Sequence, residues 1–459
     1  MVRLPKDTEL TPDLLQKLLD IHKQDAVEYK KRKDEYESQH EILDLPKKAK
    51  HKPDNRIVVN FCKYIVDTFN GFFIGNPVKV TAKDDPVAEY VDHLDSYNDQ
   101  DNKNSELSKI MSIYGKGYEM YFTDEESELC TAYLSPVDAF MVFDDSILKR
   151  PLFFVRRYTD WEGNEYGSVS DRVNVRHFSI TGGVKWSDEW KAHNFHDVPG
   201  TEYIENAEEQ SLYYPVLTNI NAYNKAISEK ANNVEYFSDA YLKILGAKLD
   251  EETLQYVKDN RIINMEGEDA AKLIVDFMGK PDSDATEENL LNRLERLIFH
   301  NSMVANISDE NFGTSSGIAL KYKVLNMLNL FQNKKQKYTS GLKRRYKLLF
   351  GHPASKVSPD AWEQLDFHFT PNLPANLLEE AQIVQGIEGI VSQETQLKVL
   401  SIVDSVQDEK KKIEEEAEAA AKKAEESAGR IMFGTGDPTG ESPEESAENE
   451  EEVMDDGIN

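Results

Sequence analysis

Hydrophobic residues recur every three to four positions over much of the chain, the period of one apolar helix face, and alternate over shorter stretches, the period of half-buried strands. Leu14, Leu15, Leu18 and Leu19 predict an amphipathic helix opening on Thr11 as N-cap, with Pro12 in the first turn. A polar connector with Lys47, Lys48, Lys50 and Lys52 follows, and then Ile57, Val58, Phe61, Ile65 and Phe69 predict a second helix, broken by Gly71, Gly75 and Pro77. Val78 to Thr81 reads as a strand and Asp84 to about Tyr118 as helix. The aromatic and β-branched runs ELCTAYLSPVDAFMVFDD and PLFFVRRYTD, with segments 152–158, 166–180 and 183–191, predict an antiparallel meander, giving an α+β domain at roughly 55–210.

Tyr213, Val216, Leu217, Ile220, Tyr223 and Ile227 then mark a helix, while YLKIL, RIINM and AKLIVDFM read as strands around a short helix. A second long helix starts at Asp284, with Glu287 at capping-box spacing, and carries Leu290, Leu294, Leu297, Ile298, Val304 and Ile307. The loop SDENFGTSSG ends it. A further helix from Ile318 to about Phe350 would be about 48 Å long at 1.5 Å per residue. Leu365, Phe367 and Phe369 alternate as in a strand, Asn376 and Glu379 have capping-box spacing, and Ser392 is an N-cap for a helix with Leu397, Leu400 and Val403. The fold class expected is α+β, mainly helical, with small β-rich parts.

Charge changes the picture most. Against 54 Lys and Arg stand 84 Asp and Glu, a net of -30, which excludes a body that holds DNA, RNA or anionic lipid by bulk attraction. Residues 408–459 hold 18 acidic and 6 basic side chains. The final GTGDPTGESPEESAENEEEVMDDGIN has too little apolar surface to offset the entropy of ordering and reads as a disordered acidic tail, 431–459; DEKKKIEEEAEAAAKKAEESA before it reads as a solvated helix. Cys62 and Cys130 form no CxxC, so a reducing compartment is expected and neither a disulfide framework nor a cysteine zinc site. No apolar run reaches the roughly 18 residues of a membrane span, and MVRLPKDTEL lacks the apolar stretch of an export signal, so a soluble protein is expected.

Candidate chemistry is thin. No phosphate-binding GxxxxGK loop is present, and Gly115-Lys116-Gly117 sits in an aromatic turn. His193 and His196 have no third metal ligand at useful spacing. Asp144 and Asp145 suit either a divalent metal, as in a nuclease, or an ordinary turn. No GxSxG or cysteine-nucleophile signature appears. The basic set Lys334, Lys335, Lys337, Lys343, Arg344, Arg345 and Lys347 is either a grip for nucleic acid or an acidic neighbour, or a solvated helix face. Phe312, among Ser308, Asp309, Glu310 and Asn311, is either a core plug or a contact residue of a mobile loop. No enzyme, cofactor or metal is expected.

The segments NRIVVNFCKYIVDTFNGFFIGNPVKV, IYGKGYEMYF, LSPVDAFMVFDD, YYPVLTNINAYNKAISEKANNVEYFSDAYLKILG, FTPNLPANLLEEA and VSQETQLKVLSIVD, in this order over roughly 50–410, resemble the portal proteins of tailed bacteriophages, of the kind found in long-tailed phages of Gram-positive hosts. The resemblance implies a ring of twelve subunits at one capsid vertex, with wing, stem, clip and crown around a DNA channel. It implies an N-terminal helix and connector at 1–54, wing at 55–211 and 318–372, stem helices at 212–237 and 285–306, clip at 238–284 and crown at 373–430. The tunnel loop, 307–317, would place Ser308, Asp309, Glu310, Asn311, Phe312, Gly313, Thr314, Ser315 and Ser316 at the narrowest part of the channel. In the clip, Tyr241, Leu242, Ile244, Ile262, Ile263, Leu273, Ile274 and Val275 would form the subunit seam by strand addition. The implied partners are further copies of the chain, viral double-stranded DNA, a terminase motor, the major capsid and scaffolding proteins and a head-completion adaptor, in the virion and, during assembly, the host cytoplasm. A metal-dependent nuclease using Asp144 and Asp145, or a ring-independent structural adaptor, are the other classes open to the sequence.

Overall fold

The computed structural model describes residues 2–48, 53–238, 242–245, 274–277, 284–307, 322–373, 377–400, 402–403 and 406–432. The chain divides into two units, Met1–Pro374 and Ala375–Asn459, and is α+β as expected. The first unit opens with β1 (Val2–Leu4), α1 (Pro12–Tyr36), α2 (Phe61–Ile74), β2 (Lys79–Thr81), α3 (Asp85–Asn98) and α4 (Gln100–Tyr114). Next come β3 (Lys116–Thr123), β4 (Leu129–Leu134), β5 (Ala139–Asp144), β6 (Pro151–Thr159), β7 (Glu165–Ser170), β8 (Asn174–Ser179), β9 (Lys185–Trp186), β10 (Lys191–Ala192) and β11 (Gly200–Ile204). It continues with α5 (Leu217–Ser238), β12 (Leu242–Leu245), β13 (Ile274–Phe277), α6 (Asp284–Ser302), α7 (Leu325–Gly351) and β14 (Asp366–His368). The second unit holds α8 (Leu377–Ile387), α9 (Gln393–Leu397) and α10 (Val406–Met432).

The expected meander forms the antiparallel run β5-β6-β7-β8-β10, with β9 also on β8, and β1 adds to β5 in parallel. Strand β5 is buried on both faces, and its period of two divides it. Phe140 and Val142 pack with Phe153, Val155 and Phe178 against Leu15, Leu18 and Leu19 of α1, while Met141 and Phe143 pack with Tyr118, Phe154 and Val198. The first helix is thus a layer of the sheet domain, capped as expected by Thr11, whose Oγ accepts from Leu14 N at 3.3 Å. Helix α7 is the spine of the unit. Its residues Phe331, Tyr338 and Leu342 join Phe69, Phe73 and Phe369 in the largest core cluster, and Tyr346, Leu348, Leu349 and Phe350 join Tyr90, Val91 and Leu94 in the second. Full burial of each such large side chain contributes about 1.5–3 kcal/mol.

Several boundaries depart from the sequence pattern. Ile57 and Val58 are extended rather than helical, because Asn60 caps α2, its Oδ1 accepting from Lys63 N at 2.9 Å. Residues 84–118 split into two helices at Asp99, whose φ is +50°, and are already strand from Lys116. Helix α6 stops at Ser302 rather than continuing through Val304 and Ile307. There Ser302 Oγ accepts from Val304 N, Met303 takes φ +61°, and the Val304 side chain is turned into the core. The long helix is continuous from Leu325, with a break at Val324 after helical Tyr322 and Lys323; its expected start at Ile318 lies outside the described residues. Ser392 caps α9 as expected, but Leu400 and Val403 lie beyond its end at Leu397. The RIINM segment, Asn376 and the tail from 433 on lie outside the described residues.

Candidate functional site

Helices α5 and α6, about 33 and 28 Å long, pack as an antiparallel pair. Tyr223 near the start of α5 and Phe299 near the end of α6 both meet Phe61 edge-on, at 5.1 and 5.8 Å between ring centres. Toward the other end, Lys230 pairs with Glu288, and Asn233 Nδ2 donates to Glu287 Oε1 at 3.0 Å. The buried stripe, Ile220 with Leu291 and Ile298, faces inward, and the polar pairs between the two helices lie in the distal half.

A strap holds α5 on its other side. Backbone N–H groups of Asn55, Ile57 and Val59 donate to Asn232 Oδ1 at 2.7 Å, Ser228 Oγ at 2.9 Å and Asn224 Oδ1 at 2.9 Å. Two residues of extended chain rise about 6.6 Å and four residues of helix about 6 Å, so alternate amides keep step with every fourth helix position. Lys48 Nζ extends the strap to Glu229 at 2.7 Å. Sequence reading missed these residues; the signal was Asn224, Ser228 and Asn232 at a spacing of four on a helix otherwise read for its apolar face.

Beyond α5, β12 pairs antiparallel with β13, Leu242 opposite Phe277, Ile244 opposite Val275, and Leu245 opposite Ile274. The structure therefore brings four of the predicted seam positions, Leu242, Ile244, Ile274 and Val275, into one two-stranded ribbon. Tyr241, Ile262, Ile263 and Leu273 lie outside the described residues, as does the whole of Ser308–Ser316 with Phe312. Ile307, the last described residue before that loop, donates its N–H to Tyr64 Oη at 2.9 Å.

The candidate chemistry resolves into scaffolding. Asp144 Oδ1 accepts from Ser146 Oγ at 2.7 Å and Arg150 N at 2.9 Å, bonds that hold its carboxyl below the usual range, and among the described residues no acid, His or Cys cluster suits a metal. The Asp144-Asp145 pair is a turn. His193 is spent on its own loop, Nε2 against Asp171 O at 3.0 Å and Nδ1 accepting from Phe195 N at 3.2 Å, and burial lowers its pKa. Gly115, φ +85°, ends α4 where a Cβ would collide with the Glu209 carbonyl, and Lys116 is buried against Glu209 at 2.8 Å and Glu202 at 3.8 Å. Burial alone would lower the Lys116 pKa; those carboxylates outweigh it and raise it. The thiols Cys62 and Cys130 are both free.

The basic set on α7 does not share one face: part of it is drawn into the core and part stays at the surface. Lys334 is buried against Glu205 at 2.8 Å, with Ser112 Oγ at 2.7 Å and Ser108 O at 3.0 Å. Arg345 is buried against Glu119, and Arg344 reaches Asp197 at 3.0 Å and the carbonyls of Gly200 and Val198. Only Lys343 and Lys347 of the set are fully at the surface. Helical periodicity groups positions on a face but does not reveal the acids, more than a hundred residues away, that draw them into the core.

The family model described as phage portal protein, SPP1 Gp6-like, matches residues 15–423. The portal protein of Bacillus phage SPP1 is 30% identical over 112 residues, which are 24% of this chain and 22% of that relative, so the alignment spans about a fifth of the relative's length. A chain from the neck of an empty GTA particle, solved with C6 symmetry, aligns at 15% identity and a TM-score of 0.43 over 74% of this chain and 88% of its own. By the family match across nearly its whole length, the chain belongs to the phage portal proteins of the SPP1 Gp6-like family.

Proposed function

We propose that this protein assembles into a ring at one vertex of a phage capsid and forms the channel through which viral double-stranded DNA is packaged and ejected. The observation that carries the reading is the family match over 15–423, and the antiparallel pair α5–α6 with its distal ribbon supports it. In this reading the sheet domain and α7 are wing, the helix pair is stem, residues 238–284 are clip, the helices after 373 are crown, and Ser308–Ser316 are the tunnel loop. The role is structural, with ATP hydrolysis left to a separate terminase motor that docks on the ring. Capsid, scaffolding and head-completion proteins would be the other partners, in the virion and in the host cytoplasm during assembly.

The net charge of -30 fits such a conduit. A strongly basic wall would hold phosphates by counterion release, whereas an acidic one lets the polyanion slide. Asp309 and Glu310 would keep the duplex from adhering at the loop, and their joint replacement by lysine should impair packaging or ejection; unchanged packaging would contradict that role. The seam reading of the ribbon is tested by Ile274→Pro, which removes an N–H from β13 and should block ring assembly while leaving soluble protomers. Intact rings from this variant would exclude the ribbon as the seam.

A further inference from the structure

The segment 193–199 joins β10 to β11 and is pinned by Phe195, which is buried in the core cluster with Tyr121, Tyr346 and Leu348. On either side of it Asn194 and His196 take φ of +63° and +58°, a left-handed backbone that residues with a Cβ disfavour, so the seat is held against local strain. Two imidazoles flank the Phe195 ring: His193 at 5.9 Å between ring centres and His352, just past the end of α7, at 4.6 Å. Each turns Nδ1 to a backbone N–H, that of Phe195 at 3.2 Å for His193 and that of Ala354 at 3.1 Å for His352. A ring nitrogen that accepts a hydrogen bond carries no proton, so both rings are neutral with their hydrogen on Nε2. His193 Nε2 donates to Asp171 O at 3.0 Å, and the His352 ring bonds the backbone of His193.

We propose that His193 and His352 form a proton-sensitive latch, which keeps Phe195 seated while both rings are neutral and releases segment 193–199 in mild acid; the inference does not depend on the conduit reading. A second proton can enter either ring only at Nδ1, where it would confront an N–H and break the bond that shapes the loop. It would also gather like charge, since both His193 and His196 act on His352. The acids nearby are already engaged. Asp197 is shared by Arg344 at 3.0 Å and Arg172 at 3.3 Å and accepts from Val198 N at 2.9 Å, while Asp171 Oδ1 accepts from Val173 N and Asn174 N, both at 2.7 Å. These two carboxylates at His193, and the C-terminal end of α7 at His352, favour a proton, yet burial outweighs them and holds both rings below their ordinary value of 6.5. The open segment takes up protons at that ordinary value and the seated one only at a lower pH, so seating is complete above 6.5 and weakens as pH falls below it. Release would part Asp197 from Arg344 and bare an apolar slot at the end of α7.

The test is hydrogen exchange of the full-length protein between pH 7.5 and pH 5.5, read at 193–199 with the middle of α7, 331–342, as reference and each rate divided by the intrinsic rate at its pH. One pH unit below the ordinary value, each histidine favours opening by up to about tenfold, so the wild-type segment should lose protection by at least about tenfold and up to about a hundredfold while the reference holds. Asparagine offers Oδ1 to the same N–H but takes no proton, so His193→Asn and His352→Asn should each leave about tenfold at most, and the double variant should stay protected at both pH values. Wild-type protection that does not change with pH would overturn the latch, and so would an equal loss at the reference or the wild-type pH dependence persisting in the double variant. A double variant unprotected at both pH values would also overturn it, since the rings would then hold Phe195 by shape and not by their protonation state.

Discussion

Glu119 Oε2 lies 2.8 Å from Arg345 Nε, the two side chains 2% and 1% exposed and 226 residues apart in sequence. The same carboxylate oxygen accepts from Tyr121 and Tyr203, both at 2.9 Å, and Arg345 Nη2 donates to Asn104 Oδ1 at 2.7 Å. A charge pair so fully bonded fixes where α7 sits on α4 and on the sheet of β3, β4 and β11.

Arg345→Met should therefore destabilise the chain by about 3–5 kcal/mol, because it strands a buried carboxylate. Adding Glu119→Gln removes the stranded charge and should recover much of the loss. Denaturant unfolding of both single variants and the double variant measures the coupling; simple additivity would deny the pair its role.

Gly341 of α7 faces the Tyr203 ring so closely that a Cβ would overlap it. Helix propensity alone favours Gly341→Ala by up to about 1 kcal/mol, but the overlap forces α7 off β11 and should make the change destabilising by about 1–3 kcal/mol. A raised melting temperature would show that the contact gives way freely.

Burial pushes the carboxyl of Glu35 on α1 up to about 7, and the nearby Glu28 adds to the rise, while Lys31, Arg32 and the Tyr213 hydroxyl oppose it. A carboxyl with a raised folded pKa is bound to its proton more tightly when folded. Its contribution is complete below the unfolded value near 4.5 and is lost as pH climbs to about 7. Glu35→Gln should leave stability at pH 4 nearly unchanged and raise it at pH 8, by at most about 3 kcal/mol. Melting curves at the two pH values check this; an equal effect at both would place the proton elsewhere.

The strap predicts a residue-by-residue pattern. Asn232→Ala, Ser228→Ala and Asn224→Ala each remove one acceptor worth about 1 kcal/mol, so amide exchange should speed up roughly fivefold at Asn55, Ile57 and Val59 respectively. Uniform acceleration across 53–60 in every variant would mean that the strap opens as a unit.

Local chemistry was legible in the sequence wherever the signal was itself local. Thr11 with Pro12 and Ser392 announced their caps, β5 to β8 their alternation, and the order of segments the family. Strand β1 escaped notice because three residues show no period and its pairing with β5 is with chain 140 residues away. Ile57 and Val58 fit a helical pattern, yet the Asn60 cap and the acceptors on α5 keep them extended. The basic set on α7 misled for the same reason: Glu119 and Glu205, which bury Arg345 and Lys334, are more than 120 residues upstream.

The central claim is that the chain closes into a ring, and the direct measurement is the mass and symmetry of the purified full-length protein by light scattering and negative-stain imaging without DNA. From a protomer of 52.5 kDa a closed ring of twelve would weigh about 630 kDa and show a central hole. A compact 52.5 kDa particle that stays monomeric even when coexpressed with capsid and scaffolding proteins would contradict the account.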